Sequence, residues 1–344
     1  MSKPTIILGI ETSCDETGTA IVVDGVSVAE CTTTQTLHQK YGGVVPELAS
    51  RAHEKLLAES VRLALTEANL KLTDLSAIAA TIGPGLAGAL LVGASYAKGL
   101  AQAVGVPFIG VNHIEGHLWA AELEGNIIPT PFLAMIVSGG HTLLIRVDGF
   151  GKYTKLGSTR DDAAGELFDK TGRMMGISFP AGETLDQMAL EPDIEPVRFP
   201  RARLKDESLN FSFSGLKTAV LYHLRSNFSR GEDGFELSDD ERKQIAKGML
   251  DAVADMLVSN MARALANHEY KAILVGGGVS ASQFLRRRWK ALAAEYSLPL
   301  FIPSPSHCAD NGSMIANIGY HKFLSGEFTA LDCSIYPSLS LCGD

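Results

Sequence analysis

Two histidines four positions apart form the clearest metal-binding pattern in the sequence. His113 and His117 lie in the segment NHIEGHL (residues 112–118), directly after an apolar run that predicts a strand. Side chains at positions i and i+4 share one face of a helix, so both imidazoles can bind a single metal ion. Two ordinary surface histidines are the alternative, and a third ligand would decide between them.

Asp310 is the leading third ligand. It lies in HCADNG (residues 307–312), between a predicted strand and a predicted helix. An aspartate there often caps the helix, but together with the histidines it would complete a two-histidine, one-carboxylate site suited to Fe(II) or Zn. His141 and Cys308 remain open as alternative ligands.

Glu115 tests whether this helix belongs to a metalloprotease. The zinc helix H-E-x-x-H places its glutamate directly after the first histidine. Here Glu115 follows His113 at i+2, about 200° around the helix, and faces away from it. The spacing therefore argues against a peptidase of that type.

Three polar or glycine-rich loops are suited to binding a nucleotide. Residues 11–18 (ETSCDETG) and 138–142 (SGGHT) each join two predicted strands, and residues 276–278 (GGG) lie between a strand and a helix that begins near Ser282. Successive backbone N–H groups in such loops can bind an anion, and a bare backbone can approach a nucleoside. Neither a P-loop nor a G-x-G-x-x-G sequence is present.

The elements that carry these loops predict an α/β protein with a duplicated architecture. Two apolar hairpins, at residues 5–23 and 131–147, are each followed by alternating helices and strands. The order of the loops is similar to that of the actin/Hsp70/sugar-kinase ATPase fold, in which two duplicated domains hold a ligand in the cleft between them. We expect an N-terminal domain at residues 1–125, with residues 325–344 packing back onto it. A C-terminal domain with a helical insertion is expected at 126–324.

Composition restricts the classes of function. The 344 residues carry 30 Lys+Arg against 39 Asp+Glu, a net charge of −9, which argues against an autonomous nucleic-acid coat protein. Five cysteines without C-x-x-C spacing predict a reducing, cytoplasmic environment. We expect no membrane span and no signal peptide, since the longest apolar stretch is interrupted by Lys98 and Pro107.

The chain resembles the bacterial tRNA threonylcarbamoyladenosine transferase family, once misnamed O-sialoglycoprotein endopeptidase. The resemblance runs from end to end through these segments: ETSCDET (11–17), ASRAH (49–53), NHIEGHL (112–118), VSGGHT (137–142), GELFDKTGR (165–173), FPAGETLD (179–186), FSFSGLKTA (211–219), GGGVSAS (276–282) and CADNGSMIA (308–316).

The resemblance implies a set of site residues. Metal ligation is implied for His113, His117 and Asp310. Substrate contacts are implied for Ile136, Val137, Ser138, Gly139, Gly140, Asp169, Gly182, Asp186, Gly277 and Ser282. Two positions depart from the common pattern, because Ser282 stands where asparagine is frequent and Ala181 where glycine is frequent.

The resemblance also implies a reaction and its partners. A threonylcarbamoyl group would pass from threonylcarbamoyl-adenylate to the exocyclic amine of the adenosine 3′-adjacent to the anticodon, in tRNAs reading codons that begin with A, and AMP would leave. Asp15 or Glu16 is a candidate for the proton acceptor. One divalent ion per subunit, a paralogous scaffold subunit and a small ATPase subunit are expected. Basic clusters at Arg198, Arg201, Arg203 and Lys205, and at 286–288 with Lys290, are candidates for tRNA contact.

Two further alternatives stay open at this point. A kinase of the same fold would leave the histidine pair without a role. A non-catalytic scaffold would have no need of His113, His117 and Asp310.

Overall fold

The computed structural model describes residues 3–201, 206–232 and 234–342 of the chain. The chain divides into two compact units. Unit 1 comprises Met1–Ile127 and Ala309–Asp344, and unit 2 comprises Ile128–Cys308.

The elements are numbered in chain order. The strands are β1 (Ile6–Glu11), β2 (Glu16–Val23), β3 (Val26–Thr34), β4 (Ala77–Gly83), β5 (Phe108–Asn112), β6 (Phe132–Val137), β7 (Thr142–Gly149), β8 (Lys152–Ser158), β9 (Ala272–Gly276) and β10 (Leu300–Phe301). The α-helices are α1 (Pro46–Glu67), α2 (Ala87–Val104), α3 (His113–Trp119), α4 (Ala164–Met174), α5 (Gly182–Leu190), α6 (Ser214–Asn227), α7 (Asp239–Asn267), α8 (Gln283–Glu295), α9 (Pro305–Cys308) and α10 (Gly312–Ser325). Within the described ranges, no helix is both long and apolar enough to cross a membrane.

Each unit contains one five-stranded sheet, and the two sheets have the same topology. The strand orders are β3-β2-β1-β4-β5 in unit 1 and β10-β9-β6-β7-β8 in unit 2. In each sheet, three consecutive strands pair antiparallel with one another. The first of the three also pairs in parallel with a later strand, which in turn pairs in parallel with the last strand of the sheet. The predicted α/β class and the predicted duplication are therefore confirmed.

Some elements differ from the sequence-based prediction. Residues 16–18, expected in a turn, begin β2 because they pair with Thr32–Thr34 of β3. The prediction also missed β8, α4 and α5. β8 is an edge strand whose side chains are mostly solvent-exposed or half-buried, so it lacks the alternating apolar pattern that marks a strand.

The boundary between the units also differs from the expected one at residue 324. Helix α10 belongs to unit 1 because its backbone lies directly against β1 and β2. A Cβ atom on Gly312 would lie 2.4 Å from the carbonyl carbon of Thr19, and one on Gly9 would lie 2.4 Å from the carbonyl oxygen of Gly312. Only glycine permits this approach. Further along the chain, Tyr336 N–H donates to the carbonyl of Ile82 in β4 at 2.7 Å.

The contact between α10 and the sheet generates a prediction. Gly312→Ala should lower the free energy of unfolding by about 1–3 kcal/mol, because the added methyl group meets rigid backbone. Chemical denaturation measures this change. Gly99→Ala is the matched control: Gly99 is exposed within α2, and a Cβ there meets nothing within 4 Å. That control should gain about 0.5–1 kcal/mol from helix propensity. Equal stability of the two variants would contradict the close packing.

Candidate metal centre and nucleotide loops

The metal-ligand candidates lie on or just before two asparagine-capped helices. The Asn112 side-chain oxygen accepts from Ile114 N–H at 2.9 Å at the start of α3, which carries both histidines. The Asn311 oxygen accepts from Met314 N–H at 2.9 Å at the start of α10. Because Asn311 is the cap, the capping role considered for Asp310 is filled by its neighbour.

His113, His117 and Asp310 converge in the structure. One potential ligand atom from each lies within 4.8 Å of the other two. Asp310 Oδ1 is 3.1 Å from His117 Nε2 and 3.5 Å from His113 Nε2. His113 is 4% exposed and His117 0%, so these are not ordinary surface histidines. The donor set of two imidazoles and one carboxylate fits Fe(II) or Zn.

A second layer of side chains orients His113. Its Nδ1 lies 3.1 Å from Glu11 Oε2 and 3.1 Å from Ser13 Oγ, which turns Nε2 toward Asp310. Glu11 is fully buried and accepts from the Thr81 hydroxyl at 2.5 Å and from Ser13 N–H. A carboxylate behind a histidine is the usual support of a metal ligand. In the described part of the chain, Nδ1 of His117 finds no hydrogen-bond partner.

Buried carboxylates give the site its electrostatic character. Burial opposes protonation of His113, but the Asp310 and Glu11 carboxylates outweigh it and raise the pKa of the imidazole to about 9. Burial alone would raise the pKa of Glu11, whereas the charge of His113 outweighs it and holds that pKa below its usual value. The buried group of carboxylates around two imidazoles is an environment that favours a cation.

Asp15 and Glu16 lie where the first loop meets β2. Burial raises the pKa of the Glu16 carboxyl well above its usual value, and the charges of Asp310 and Asp15 raise it further. A carboxyl shifted in this direction is better suited to accept a proton near neutral pH than an ordinary glutamate. Burial likewise raises the pKa of the Cys14 thiol, so it remains protonated.

Residues considered in other metal roles have different partners. Glu115, the residue considered as a protease base, instead forms an ion pair with Lys322, with Oε2 3.2 Å from Nζ. Cys308 Sγ accepts from Ser280 Oγ at 3.0 Å and from Arg286 Nη2 at 3.3 Å. Neither Cys308 nor His141 belongs to the three-residue cluster.

In unit 2, the loop after β6 forms a tight turn. Ser138 N–H donates to the carbonyl of His141 at 2.8 Å, and His141 N–H donates to Ser138 Oγ at 3.1 Å. Gly139 and Gly140 are exposed at the tip. The preceding Ile136 and Val137 are fully buried, so only their backbone can serve a ligand.

Gly277 is required by the backbone whether or not a ligand binds. Its φ is +87°, and a Cβ atom there would lie 2.5 Å from the carbonyl oxygen of Val137. At the neighbouring Gly278, a Cβ meets nothing within 4 Å. Gly278 is therefore the position at which a larger side chain tests ligand approach without straining the fold.

Asp169 and Asp186, for which the resemblance implies substrate contacts, accept hydrogen bonds from backbone N–H groups. Asp169 Oδ1 accepts from Ala181 N–H at 2.9 Å, directly before Gly182. The Asp186 carboxylate accepts from Gln283 N–H at 2.8 Å and from Phe284 N–H at 3.0 Å. Both carboxylates thus shape the surrounding backbone.

The two departures from the common family pattern have structural explanations. Ser282 Oγ donates to Asp186 and accepts from Leu285 N–H at 3.1 Å, so it caps α8. Ala181 is fully buried with an ordinary φ of −89°. Its Cβ occupies the space beside Gly172, where a second Cβ would come within 2.3 Å.

Two supporting carboxylates were not singled out from the sequence. Glu11 supports His113, and Asp161 accepts from the hydroxyls of Ser212 at 2.6 Å and Ser214 at 2.7 Å. Each carboxylate lies in or beside a family segment. However, Glu11 is 102 positions from its partner His113, and Asp161 is 51 positions from its partner Ser212. A local pattern contains no signal for such pairs.

Comparison with solved structures defines the class of fold. HypF from T. kodakarensis aligns over 95% of this chain and 49% of its own, with a TM-score of 0.60 and 13% identity. Component A of (R)-2-hydroxyglutaryl-CoA dehydratase from Acidaminococcus fermentans aligns over 93% of this chain and 99% of its own, with a TM-score of 0.54 and 14% identity. These likenesses identify the fold alone: the α/β fold of the actin/Hsp70/sugar-kinase group.

Sequence comparison then gives the family. The TsaD family model, described as tRNA N6-adenosine threonylcarbamoyltransferase, matches residues 27–317. Curated proteins of that name include one from Clostridium botulinum, 42% identical over 99% of both chains, and one from Geotalea uraniireducens, 46% identical over 96% of this chain and 95% of its own. The chain belongs to the tRNA N6-adenosine threonylcarbamoyltransferase family.

The support of His113 by Glu11 generates a prediction about metal affinity. Glu11→Gln should weaken binding of Zn²⁺ or Fe²⁺ about 10–100-fold, since it keeps all three ligands but weakens the histidine's support. His117→Ala should lose most of the bound ion. Metal titration with calorimetry or a competing chelator measures both effects.

Glu122→Gln is the matched control for Glu11→Gln. Glu122 Oε2 lies 2.8 Å from His321 Nε2 in the same unit, in a carboxylate–histidine pair outside the metal-ligand cluster. Unchanged affinity is expected there. Wild-type affinity in Glu11→Gln would remove Glu11 from the support of the site.

Proposed function

We propose that this chain transfers the threonylcarbamoyl group of threonylcarbamoyl-adenylate to N6 of the tRNA adenosine 3′-adjacent to the anticodon, in tRNAs reading codons that begin with A. A carbon–nitrogen bond forms between the carbamoyl carbon and N6. The bond from that carbon to the phosphate oxygen breaks, AMP leaves, and N6 loses one proton. The end-to-end family relationship carries the proposal, and the intact His113/His117/Asp310 cluster supports a catalytic rather than a scaffold role.

His113, His117 and Asp310 would hold one divalent ion, iron or zinc. Such an ion supplies Lewis acidity for a carbonyl oxygen and a template for a carboxylate, both of which the threonylcarbamoyl group contains. Glu11 and Ser13 keep Nε2 of His113 directed at Asp310. Glu16, with its raised pKa, is the stronger of the two candidates for accepting the N6 proton.

In unit 2, backbone groups rather than side chains would bind threonylcarbamoyl-adenylate. Gly139 and Gly140 are exposed at their turn, and Gly278 has open space beside its Cα. Successive backbone N–H groups of this kind suit the phosphate of an adenylate. Asp169, Asp186 and Ser282 hold the adjoining backbone in place.

The basic residues support a need for partner subunits in tRNA binding. Arg201 pairs with Asp255 at 2.9 Å, and Arg288 pairs with both Asp255 and Asp251. Arg203 and Lys205 of the first cluster lie outside the described residues. With a net charge of −9 and with Arg201 and Arg288 already paired with aspartates, the isolated chain should bind tRNA weakly. A scaffold subunit and a small ATPase subunit are the proposed partners, and the cytoplasm is the proposed location.

An assay of two variants separates transfer from kinase chemistry. The chain and its proposed partners are incubated with threonylcarbamoyl-adenylate and unmodified tRNA, and the modified nucleoside is quantified by mass spectrometry. His113→Ala should lower transfer at least about 100-fold while sparing adenylate affinity, since the effect falls on the transition state. Gly278→Val should weaken binding of a non-hydrolysable adenylate analogue while the metal stays bound.

Glu122→Gln again serves as the control with wild-type transfer. Transfer at the wild-type rate in His113→Ala would show that the metal site does not serve this reaction. ATP-dependent phosphorylation of a small metabolite, without nucleoside modification, would favour the kinase.

A further inference from the structure

The loop between β1 and β2 is held by three donors from different parts of unit 1. The carbonyl of Ser13 accepts from Leu86 N–H at 2.8 Å, and the carbonyl of Asp15 accepts from Gln35 N–H at 3.1 Å. The carbonyl between them, that of Cys14, lies 2.9 Å from Nε2 of His53. The central bond therefore comes from a side chain that lies 39 positions away.

The protonation state of His53 follows from its partners. His53 is fully buried on α1, and its Nδ1 lies 2.8 Å from the Thr17 hydroxyl. A carbonyl can only accept, so Nε2 carries the proton and Nδ1 accepts from Thr17. Burial lowers the pKa of His53 and favours this neutral form. One ring thus connects the loop to the start of β2.

A second buried histidine restricts the same network. Val45 N–H donates to Nδ1 of His38 at 3.2 Å, so Nε2 of His38 donates to the Gln35 side-chain oxygen at 3.0 Å. The Gln35 amide nitrogen in turn lies 3.3 Å from the carbonyl of Ala49 and 3.3 Å from the ring nitrogens of His53. These contacts give the ring of His53 further hydrogen-bonding neighbours within the buried network.

The loop that His53 holds is the one that reaches the proposed chemistry. Ser13 Oγ lies 3.1 Å from Nδ1 of His113, and the Asp15 and Glu16 carboxyls follow directly along the chain. We propose that His53 is a positioning residue for the transfer reaction, which keeps Ser13 against His113 and aims the carboxyl of Glu16. This inference rests on the proposed function.

Steady-state kinetics of transfer tests the role. His53→Ala should lower kcat about 10–100-fold while KM for tRNA and for the adenylate stays near wild type, because the loop loses its geometry rather than a substrate contact. Metal content should stay stoichiometric. His53→Gln should recover much of kcat, since a glutamine N–H can still donate to the Cys14 carbonyl.

Ser60→Ala is the matched control. Ser60 is also buried on α1 and bonds to the Thr19 hydroxyl at 2.7 Å and the Cys31 carbonyl at 3.1 Å, outside the loop. Its kcat should stay near wild type. If His53→Ala does not fold, Thr17→Val is the substitute variant, because this change removes only the hydroxyl that bonds to Nδ1 of His53. In Thr17→Val, kcat should fall about 3–10-fold.

Amide hydrogen exchange provides a readout that does not depend on transfer. Exchange at residues 13–16 should accelerate in His53→Ala and not in Ser60→Ala. A wild-type protein without transfer activity would refute the proposed function, and exchange would then still decide whether His53 holds the loop. A folded His53→Ala variant with wild-type kcat and wild-type exchange overturns the inference, and so does a change confined to KM.

Discussion

The packing of helix α10 directly on the backbone of β1 and β2 is the constraint on which the candidate metal centre depends. Gly9 and Gly312 allow an approach that any Cβ atom would prevent. Asp310 lies two residues before this helix, and its carboxylate lies 3.1 Å from a histidine 193 positions earlier in the chain. The last segment of unit 1 returns to the sheet formed by the first segment, and that return brings Asp310 to the two histidines.

The site that results would be unfavourable without a positive charge. Glu11, Glu16 and Asp310 are carboxyl groups that affect one another's ionisation, and Glu11 is fully buried. In the structure, His113 offsets part of their charge through its raised pKa. A divalent ion would do so more completely, which gives a physical reason for the proximity of two imidazoles and several carboxyls.

In unit 2, three side chains expected to contact the substrate bind backbone N–H groups instead. Asp169 holds the segment before α5, while Asp186 and Ser282 together cap α8. Gly277 has a left-handed conformation against the Val137 carbonyl. These side chains therefore fix the conformation of the loops in this unit.

The sequence alone determined the α/β class, the duplicated hairpins and the histidine pair, because apolar periodicity, turn residues and i/i+4 spacing are local properties. It also supported the family assignment, since the segments keep their order along the whole chain. Only the tertiary structure decided that Asp310 joins the histidines while Cys308 and His141 do not, that Glu11 contacts His113 and His53 contacts the Cys14 carbonyl, and that α10 belongs to unit 1. These features depend on contacts between residues tens to hundreds of positions apart. Such contacts are set by how helices pack on sheets, and no local pattern of residues records them.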